Sequence, residues 1–261
     1  MKKRHFIAPA AVTLVAAGVI FGANQIEPLA NPLLFSTAAV EDGMPQPNAG
    51  PVAVKPPPAQ CLGYVALTFD DGPTEGTQDL LDVLSQQHTP ATFFLTGVHA
   101  EQFPDAVKTI VESGHQIGDH TWDHPDLQSL TQAEAHKQIL QTYEVLSEFG
   151  KVEFFRPPYG SYDDEMRLYA GTMDMKLALW TLDGKDFEAT STEQIVEQAM
   201  GLTDGGNVLL HDNPATTTAL PLIINSYHDQ GLCFGRLAPS ETSFFPAESP
   251  ALTYQVQAVQ P

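Results

Sequence analysis

Short apolar runs alternate with longer segments of helical periodicity through the middle of the chain. The apolar runs, rich in β-branched and aromatic residues, predict seven strands, over residues 64–69, 92–95, 116–119, 154–156, 177–181, 207–210 and 232–237. Apolar residues recur every three or four positions between them and predict helices over residues 77–87, 101–113, 132–149, 163–172, 192–202 and 220–230. Such alternation is typical of βα units around a mainly parallel sheet. We therefore expect an α/β fold.

The segments on either side of this alternation have a different character. Residues 1–26 begin with three basic residues and continue as an apolar stretch, which predicts an export signal that is either cleaved or kept as an N-terminal anchor. Residues 27–60 are rich in Pro and Ala and predict a linker. Residues 238–261 show little periodicity, so we expect a loosely attached C-terminal tail. The folded domain is therefore expected over residues 61–237, in a protein that is secreted, periplasmic or anchored in the cell envelope.

The chain contains two cysteines, Cys61 and Cys233. Cys61 precedes the first predicted strand and Cys233 lies in the last one, so a bridge between them would join the two ends of the domain. An even number of cysteines in an exported chain favours a disulfide over the alternative of two buried thiols. Closing so long a loop contributes roughly 2–5 kcal/mol of stability in the chain-entropy description.

The charge balance narrows the classes of partner. The chain has 12 Lys and Arg against 32 Asp and Glu, which gives a net charge of −20, and 43% of its residues are hydrophobic. The hydrophobic content suffices for a full core. The sparse cations argue against a nucleic-acid partner, because phosphate binding needs clustered Lys and Arg. A neutral or cationic glycan is compatible with this charge.

Reactive side chains follow most of the predicted strands. They are Asp70 and Asp71 after the first strand, Asp119 and His120 after the third, Arg156 at the end of the fourth, Asp183 and Asp186 after the fifth, and His211 and Asp212 after the sixth. In α/β barrels and open α/β sheets, the carboxyl ends of the strands carry the chemistry. This placement predicts one active site at that edge of the sheet.

Two histidines and a carboxylate pair predict a metal site. His120 and His124 together with Asp70 or Asp71 make a set of two imidazoles and one carboxylate that leaves positions for water and substrate. Pro125 disfavours a helix at His124, so a loop is expected there. The carboxylate that does not bind the metal can act as a general base. The alternative is that residues 70–73 form an ordinary turn, since Asp, Gly and Pro are all turn formers.

Two further side chains suit the same chemistry. His211 can protonate a leaving group. Arg156 can hold a carboxylate in a bidentate pair, and the stiff Pro157–Pro158 backbone can present an N–H group to a developing oxyanion. The alternative for Arg156 is a structural ion pair beside a turn. Trp122 and Trp180 either stack on sugar rings or pack in the core.

Four motifs in order resemble those of a known family. They are TFDDGP at residues 68–73, HTWDHP at 120–125, RPPYG at 156–160 and LLHD at 209–212. They resemble the motifs of the polysaccharide deacetylases, the NodB-homology enzymes of carbohydrate esterase family 4. The resemblance spans residues 63–237. It implies a distorted (β/α)7 barrel in a single catalytic domain, with a divalent metal that is most often zinc, and cobalt or manganese as alternatives.

The resemblance also implies a role for each matching residue. The implied roles are Asp70 as base, Asp71, His120 and His124 as metal ligands, His211 as acid, Arg156 and Asp186 as supports of the catalytic groups, and Tyr159, Pro158, Phe187 and Trp122 around the oxyanion and substrate. The sequence departs from the family pattern at Phe187, where a Trp is usual, and at Asp119, where Asn is frequent. Asp119 and Asp123 are expected to add negative charge near the metal.

The function implied by the resemblance is hydrolysis of an N-acetyl group on a β-linked amino-sugar polysaccharide, with release of acetate. Peptidoglycan and chitin-type oligosaccharides are the expected substrates, and the protein is expected to be a monomer. One alternative is removal of O-acetyl groups from xylan on the same scaffold. Another is a catalytically silent module that binds glycan.

Overall fold

The computed structural model describes residues 52–240 and 254–259 of the 261-residue chain. The predicted export signal and most of the predicted linker therefore lie outside the described residues. Within the described ranges, none of the helices combines the length and the apolar character that crossing a membrane requires.

The described residues form a sheet with helices around it. Its strands are β1 Gly63–Gly72, β2 Ala91–Leu95, β3 Gln116–Asp119, β4 Val152–Phe155, β5 Lys176–Leu177, β6 Leu182–Asp183, β7 Asn207–His211, β8 Leu232–Pro239 and β9 Tyr254–Ala258. Seven of them pair in the order β5-β4-β3-β2-β1-β7-β6, and every pair in this series is parallel. Strand β8 pairs in parallel with the first residues of β1 and antiparallel with β9.

The helices lie between successive strands, as the periodicity predicts. They are α1 Thr77–Gln86, α2 Gly97–Gln102, α3 Pro104–Glu112, α4 Gln132–Ser147, α5 Asp164–Gly171, α6 Thr192–Gln198 and α7 Pro214–Asp229. Helix α4 begins with a capping box, in which Thr131 and Glu134 bind each other's backbone N–H groups.

The parallel sheet nearly closes into a barrel. Strands β5 and β6 are its two edges, yet only residues 178–181 separate them in the chain. Side chains bridge this gap: Arg156 Nε donates to Ala178 O at 2.9 Å, and Asn207 Nδ2 donates to Leu179 O at 3.0 Å. The expected barrel-like fold of seven strands is confirmed. The single strand predicted over residues 177–181 is wrong, because that segment crosses from one edge to the other instead of pairing along its length.

The alternation of side chains in β1 separates the barrel interior from the helix layer. Leu67 and Phe69 belong to the large core cluster that the helices cover, whereas Ala66 packs in a smaller cluster with Phe94, Phe154, Ala178, Leu237 and Tyr254. Successive side chains of a strand point to opposite faces. Thr68 and Asp70 therefore share the interior face with Ala66, above an apolar floor.

Two helix predictions are wrong in their bounds because of proline. The helix expected over residues 101–113 is two helices, α2 and α3, and α3 starts at Pro104. Helix α7 starts at Pro214, six residues before the predicted start at 220, and its N-terminus is capped by Asn213 Oδ1, which accepts the Thr216 N–H at 2.9 Å. The N–H groups of the first helical turn have no acceptor within the helix. Proline, which has no N–H, is therefore well tolerated there.

The expectation of a loosely attached C-terminal tail is also wrong in part. Tyr254–Ala258 forms strand β9 against β8, and Tyr254 is only 3% exposed. The Tyr254 hydroxyl donates to Asn207 Oδ1 at 3.0 Å. Five residues carry too little periodicity for this strand to stand out in the sequence.

The N-terminal end of the described chain is bound at two points. The predicted disulfide joins Cys61 to Cys233 with Cα atoms 5.5 Å apart. Before it, the Lys55 N–H donates to Asn225 Oδ1 at 3.1 Å, and Asn225 Nδ2 donates to Ala53 O at 3.0 Å. Lys55 Nζ lies 2.6 Å from Asp229 Oδ2. The last residues of the predicted linker are therefore held on α7, at the end of the barrel opposite the carboxyl ends of the strands.

We expect Asn207→Ala to lower the free energy of unfolding by about 3 kcal/mol, because the side chain makes three hydrogen bonds worth about 1 kcal/mol each, to Leu179 O, the Thr181 N–H and the Tyr254 hydroxyl. Tyr254→Phe removes only one of these bonds and should cost about 1 kcal/mol. Urea unfolding measures both. Equal losses in the two variants would contradict the role of Asn207 in bridging the barrel gap.

Candidate metal centre and active site

The carboxyl ends of β1, β3, β4 and β7 bring the predicted reactive residues to one face of the barrel. Asp70 and Asp71 are among the last three residues of β1, His120 and Arg156 directly follow β3 and β4, and His211 ends β7. The residues form two hydrogen-bonded pairs beside a group of potential metal ligands.

Asp71, His120 and His124 form that group of potential ligands. One oxygen or nitrogen atom from each lies within 4.8 Å of the others. Asp71 Oδ1 is 3.5 Å from His120 Nε2 and 3.4 Å from His124 Nε2, and it has no hydrogen-bond partner among the described residues although it is buried. Ligands at about 2.0–2.1 Å from a tetrahedral zinc ion lie about 3.3–3.4 Å apart. The three residues therefore fit a divalent metal such as zinc.

The imidazole of His120 is oriented for metal binding. Its Nδ1 lies 2.7 Å from Arg156 O, and because a carbonyl only accepts, Nδ1 carries the proton. Nε2 then presents its lone pair to Asp71 and His124. Burial lowers the pKa of His120 to about 3 and keeps the ring neutral. A neutral imidazole whose second nitrogen donates to a carbonyl is the usual form of a histidine ligand.

The backbone around the ligands adopts unusual conformations. Asp71, Thr121 and His124 have φ angles of 69°, 68° and 62°, in the left-handed region that residues other than glycine seldom adopt. The segment after His120 is a loop, as Pro125 predicts. Gln138 of α4 holds this loop, because its Oε1 accepts the N–H groups of Trp122 and Asp123 at 2.9 and 3.1 Å. Nothing in the sequence distinguishes Gln138 from other polar residues of that helix.

Asp70 is paired with Arg156 inside the barrel. Arg156 Nη1 lies 2.7 Å from Asp70 Oδ1, and the two residues are 0% and 2% exposed respectively. Burial raises the pKa of Asp70, although the charge of Arg156 opposes the rise. The expected bidentate pair is not found. Nε and Nη2 of Arg156 bind the carbonyls of Ala178 and Leu179 instead.

His211 is paired with Asp186. His211 Nδ1 lies 2.7 Å from Asp186 Oδ1, and the His211 N–H donates to Asp186 Oδ2 at 2.7 Å. Asn213 Nδ2, at 3.1 Å, and the Thr216 hydroxyl also donate to Oδ2, and sequence reasoning missed both. Burial opposes the charge of Asp186, but the hydrogen bonds outweigh it and lower the pKa of Asp186. Burial likewise opposes the charge of His211, whereas Asp186 raises the pKa of His211 above its usual value.

The other acidic residues near the site have different environments. Asp183 Oδ1 accepts the Lys185 N–H at 2.9 Å, so the support of His211 falls to Asp186. Asp119 is fully buried, and its Oδ1 accepts the Thr121 N–H at 2.8 Å. Burial raises the pKa of Asp119 well above its usual range, which disfavours the negative charge expected there. Asp123 is exposed and accepts a hydrogen bond from Gln138 Nε2.

Two exposed aromatic rings flank the site. Tyr159 is 69% exposed, and the edge of its ring meets His124 with centroids 4.8 Å apart. Phe187 is 63% exposed and meets His211 in the same way at 5.3 Å. Trp122, in contrast, is half-buried against Gly97, where a Cβ atom would overlap its ring. Pro158 is buried beside Tyr159, whose φ of 59° is left-handed.

Comparison with known proteins gives one consistent family. The family model described as polysaccharide deacetylase matches residues 60–178. A peptidoglycan-N-acetylglucosamine deacetylase of Bacillus cereus is 37% identical over 179 residues, which cover 65% of this chain and 65% of that protein. A chitooligosaccharide deacetylase of Sinorhizobium fredii is 30% identical, over 64% of this chain and 86% of the relative. The chain thus spans just under two thirds of the length of the Bacillus cereus protein.

A solved structure agrees with the sequence relatives. The family 4 carbohydrate esterase from Streptomyces lividans, determined in complex with acetate, superposes with a TM-score of 0.68 at 33% identity. The match covers 76% of this chain and 100% of that one. Fold, motif order and sequence identity therefore agree, and the chain belongs to the polysaccharide deacetylase family.

Proposed function

We propose that this protein is a metal-dependent hydrolase that removes N-acetyl groups from a β-linked amino-sugar polysaccharide and releases acetate. The observation that carries the proposal is the group of Asp71, His120 and His124, which lies beside the Asp70–Arg156 and Asp186–His211 pairs on one face. Peptidoglycan and chitin-type oligosaccharides are the proposed substrates, in line with the substrates named for the relatives.

A divalent metal, which we propose to be Zn²⁺, would polarise the acetyl carbonyl and lower the pKa of water when bound by these three residues. Asp71 would provide the charged ligand, and the imidazoles of His120 and His124 would leave the remaining positions for water and substrate. Tyr159 lies next to His124, and we propose that its backbone N–H stabilises the oxyanion that forms on the acetyl oxygen.

Asp70 is the proposed general base. Its Oδ1 is engaged by Arg156, whereas its Oδ2 lies 3.6 Å from His120 Nε2 and so faces the ligand group. Oδ2 is therefore the atom placed to take a proton from the attacking water. Arg156 fixes the carboxylate through Oδ1 and leaves Oδ2 free for this step.

His211 is the proposed general acid. Asp186 binds the proton-carrying Nδ1, so Nε2 points the other way, 3.9 Å from Asp71 Oδ2. A protonated Nε2 can donate its proton to the amine nitrogen as the C–N bond breaks. The raised pKa of His211 keeps the ring protonated over a wider pH range. The disulfide is consistent with the proposed location outside the cytoplasm.

The proposed reaction is tested by acetate release from chitin oligomers, peptidoglycan and acetylated xylan. We expect acetate from one or both amino-sugar polymers, loss of activity in excess chelator, and recovery on addition of Zn²⁺ or Co²⁺. Full activity in chelator would contradict the metal role. Release from xylan alone would make the protein an O-deacetylase, and glycan binding without acetate from any substrate would make it a silent module.

The separate roles of the two adjacent carboxylates give a second prediction. Asp70→Asn should keep Zn²⁺ binding near that of the wild type, while activity falls at least about 10²-fold because the general base is lost. Asp71→Asn should weaken Zn²⁺ binding, because the charged ligand is lost. Calorimetric Zn²⁺ titration and the acetate assay measure the two effects. Equal metal loss in both variants would contradict this division.

The Asp186–His211 pair gives a prediction about pH. A general acid must be protonated, so activity falls as the pH rises through the pKa of His211. Asp186 raises that pKa, and Asp186→Asn should therefore move the alkaline limb of kcat against pH to lower pH and reduce kcat. Asp183→Asn is the matched control, because Asp183 caps a turn instead. An unmoved alkaline limb in Asp186→Asn would assign the proton donation to another group.

A further inference from the structure

The backbone of Asp71 requires support from outside the ligand group. Asp71 has a left-handed φ of 69°, at an irregularity of β1 where its register against β2 shifts between Asp70 and Gly72. This conformation is unfavourable for a residue with a Cβ atom, and it persists only where surrounding contacts hold it. The direction of the Asp71 carboxylate depends on this backbone conformation, because the backbone sets where a side chain points.

His99 provides a contact of this kind. Its Nδ1 lies 2.8 Å from the carbonyl oxygen of Asp71 and therefore donates, since a carbonyl only accepts. His99 belongs to α2, and the N–H of Thr96, just before that helix, donates to the next carbonyl, that of Gly72, at 3.0 Å. The start of α2 thus binds the carbonyls of Asp71 and Gly72, at the end of β1 that carries the proposed metal ligand.

Asp212, which directly follows β7, holds the other side of this segment. Asp212 accepts hydrogen bonds from the hydroxyls of Thr74 at 3.3 Å and Thr77 at 2.5 Å. A Cβ atom at Gly72 would lie 2.8 Å from Asp212 Oδ2, so the backbone at Gly72 is tightly packed against this carboxylate. The side chain of Asp212 thus binds residues after the ligand, and its backbone N–H donates to Asp70 O, before the ligand, at 3.1 Å. The side chain of His99, in contrast, is hydrogen-bonded to the backbone carbonyl of Asp71 itself.

We propose that His99 is a positioning residue that fixes the backbone of Asp71 and thereby directs its Oδ1 towards His120 and His124. The inference rests on the metal role proposed above. His99 lies outside the group of three ligands, and its Nδ1 is occupied by the carbonyl. Groups that orient metal ligands typically change metal affinity or activity by 10–100-fold when they are removed.

Two substitutions of His99 separate the hydrogen bond from the bulk of the side chain. His99→Leu fills similar space without a donor, and we expect Zn²⁺ affinity about 10–100-fold weaker. His99→Asn carries an amide nitrogen at the same distance along the side chain as Nδ1, and it should restore the affinity to within a few-fold of the wild type. Competition with a chromophoric chelator measures the affinity of the full-length protein.

Helix α4 offers a matched control. His136 contacts Glu165 at 2.6 Å and stacks on Tyr169, so His136→Leu also deletes a half-buried histidine with polar and ring contacts. Zn²⁺ affinity should be unchanged in this variant. The visible spectrum of the Co²⁺-loaded protein is a second readout, since it reports ligand geometry. It should change in His99→Leu and keep the wild-type form in His99→Asn and His136→Leu.

The outcomes separate this inference from the proposed function. A folded His99→Leu protein with wild-type Zn²⁺ affinity and Co²⁺ spectrum would overturn the role of His99 and leave the metal function intact. A folded His99→Asn protein as weak as His99→Leu would overturn the hydrogen-bond argument. A wild-type protein that binds no Zn²⁺ would overturn both proposals. His99→Ala replaces His99→Leu in the same comparison if the leucine variant does not fold.

Discussion

The structure depends on the buried guanidinium of Arg156. A buried charge is costly unless it is paired and its donors are satisfied. Arg156 meets this condition with the carboxylate of Asp70, the hydroxyl of Thr68 and the carbonyls of Ala178 and Leu179, and its guanidinium carbon lies 3.9 Å from the centroid of the Phe94 ring. The same contacts close the gap between β5 and β6. The side chain of Arg156, which bridges the barrel gap, therefore also fixes the proposed base. The backbone carbonyl of Arg156 orients His120.

Adjacent carboxylates have different environments because of local backbone geometry. Strand alternation directs Asp70 into the barrel interior, where it meets Arg156. Asp71 leaves the strand pattern through its left-handed φ and reaches His120 and His124. The carboxylate of Asp70 is thereby paired with a charge, whereas that of Asp71 has a buried oxygen without a hydrogen-bond partner among the described residues. The proposed base and the proposed metal ligand are assigned on this difference.

The sequence predicts the parts of this arrangement that follow from periodicity and strand ends. The strand-end rule places Asp71, His120, Arg156 and His211 on one face, because parallel strands align their carboxyl ends. It does not predict Gln138, Asn207 or His99, whose roles depend on which loop or carbonyl each meets in three dimensions. The crossing of residues 178–181 from β5 to β6 and the pairing of β9 with β8 likewise depend on contacts between distant parts of the chain, which leave no local pattern.

Charge compensation within the site explains how a chain of net charge −20 can hold so many carboxylates together. Asp70 is balanced by Arg156 and Asp186 by His211, and burial raises the pKa of Asp119. Asp71 Oδ1, in contrast, is buried without a hydrogen-bond donor among the described residues, which leaves the charge of this carboxylate uncompensated on that side. A dication would remove that imbalance. The compensation of Asp70 and Asp186 is local, because each carboxylate has its partner 2.7 Å away within the site.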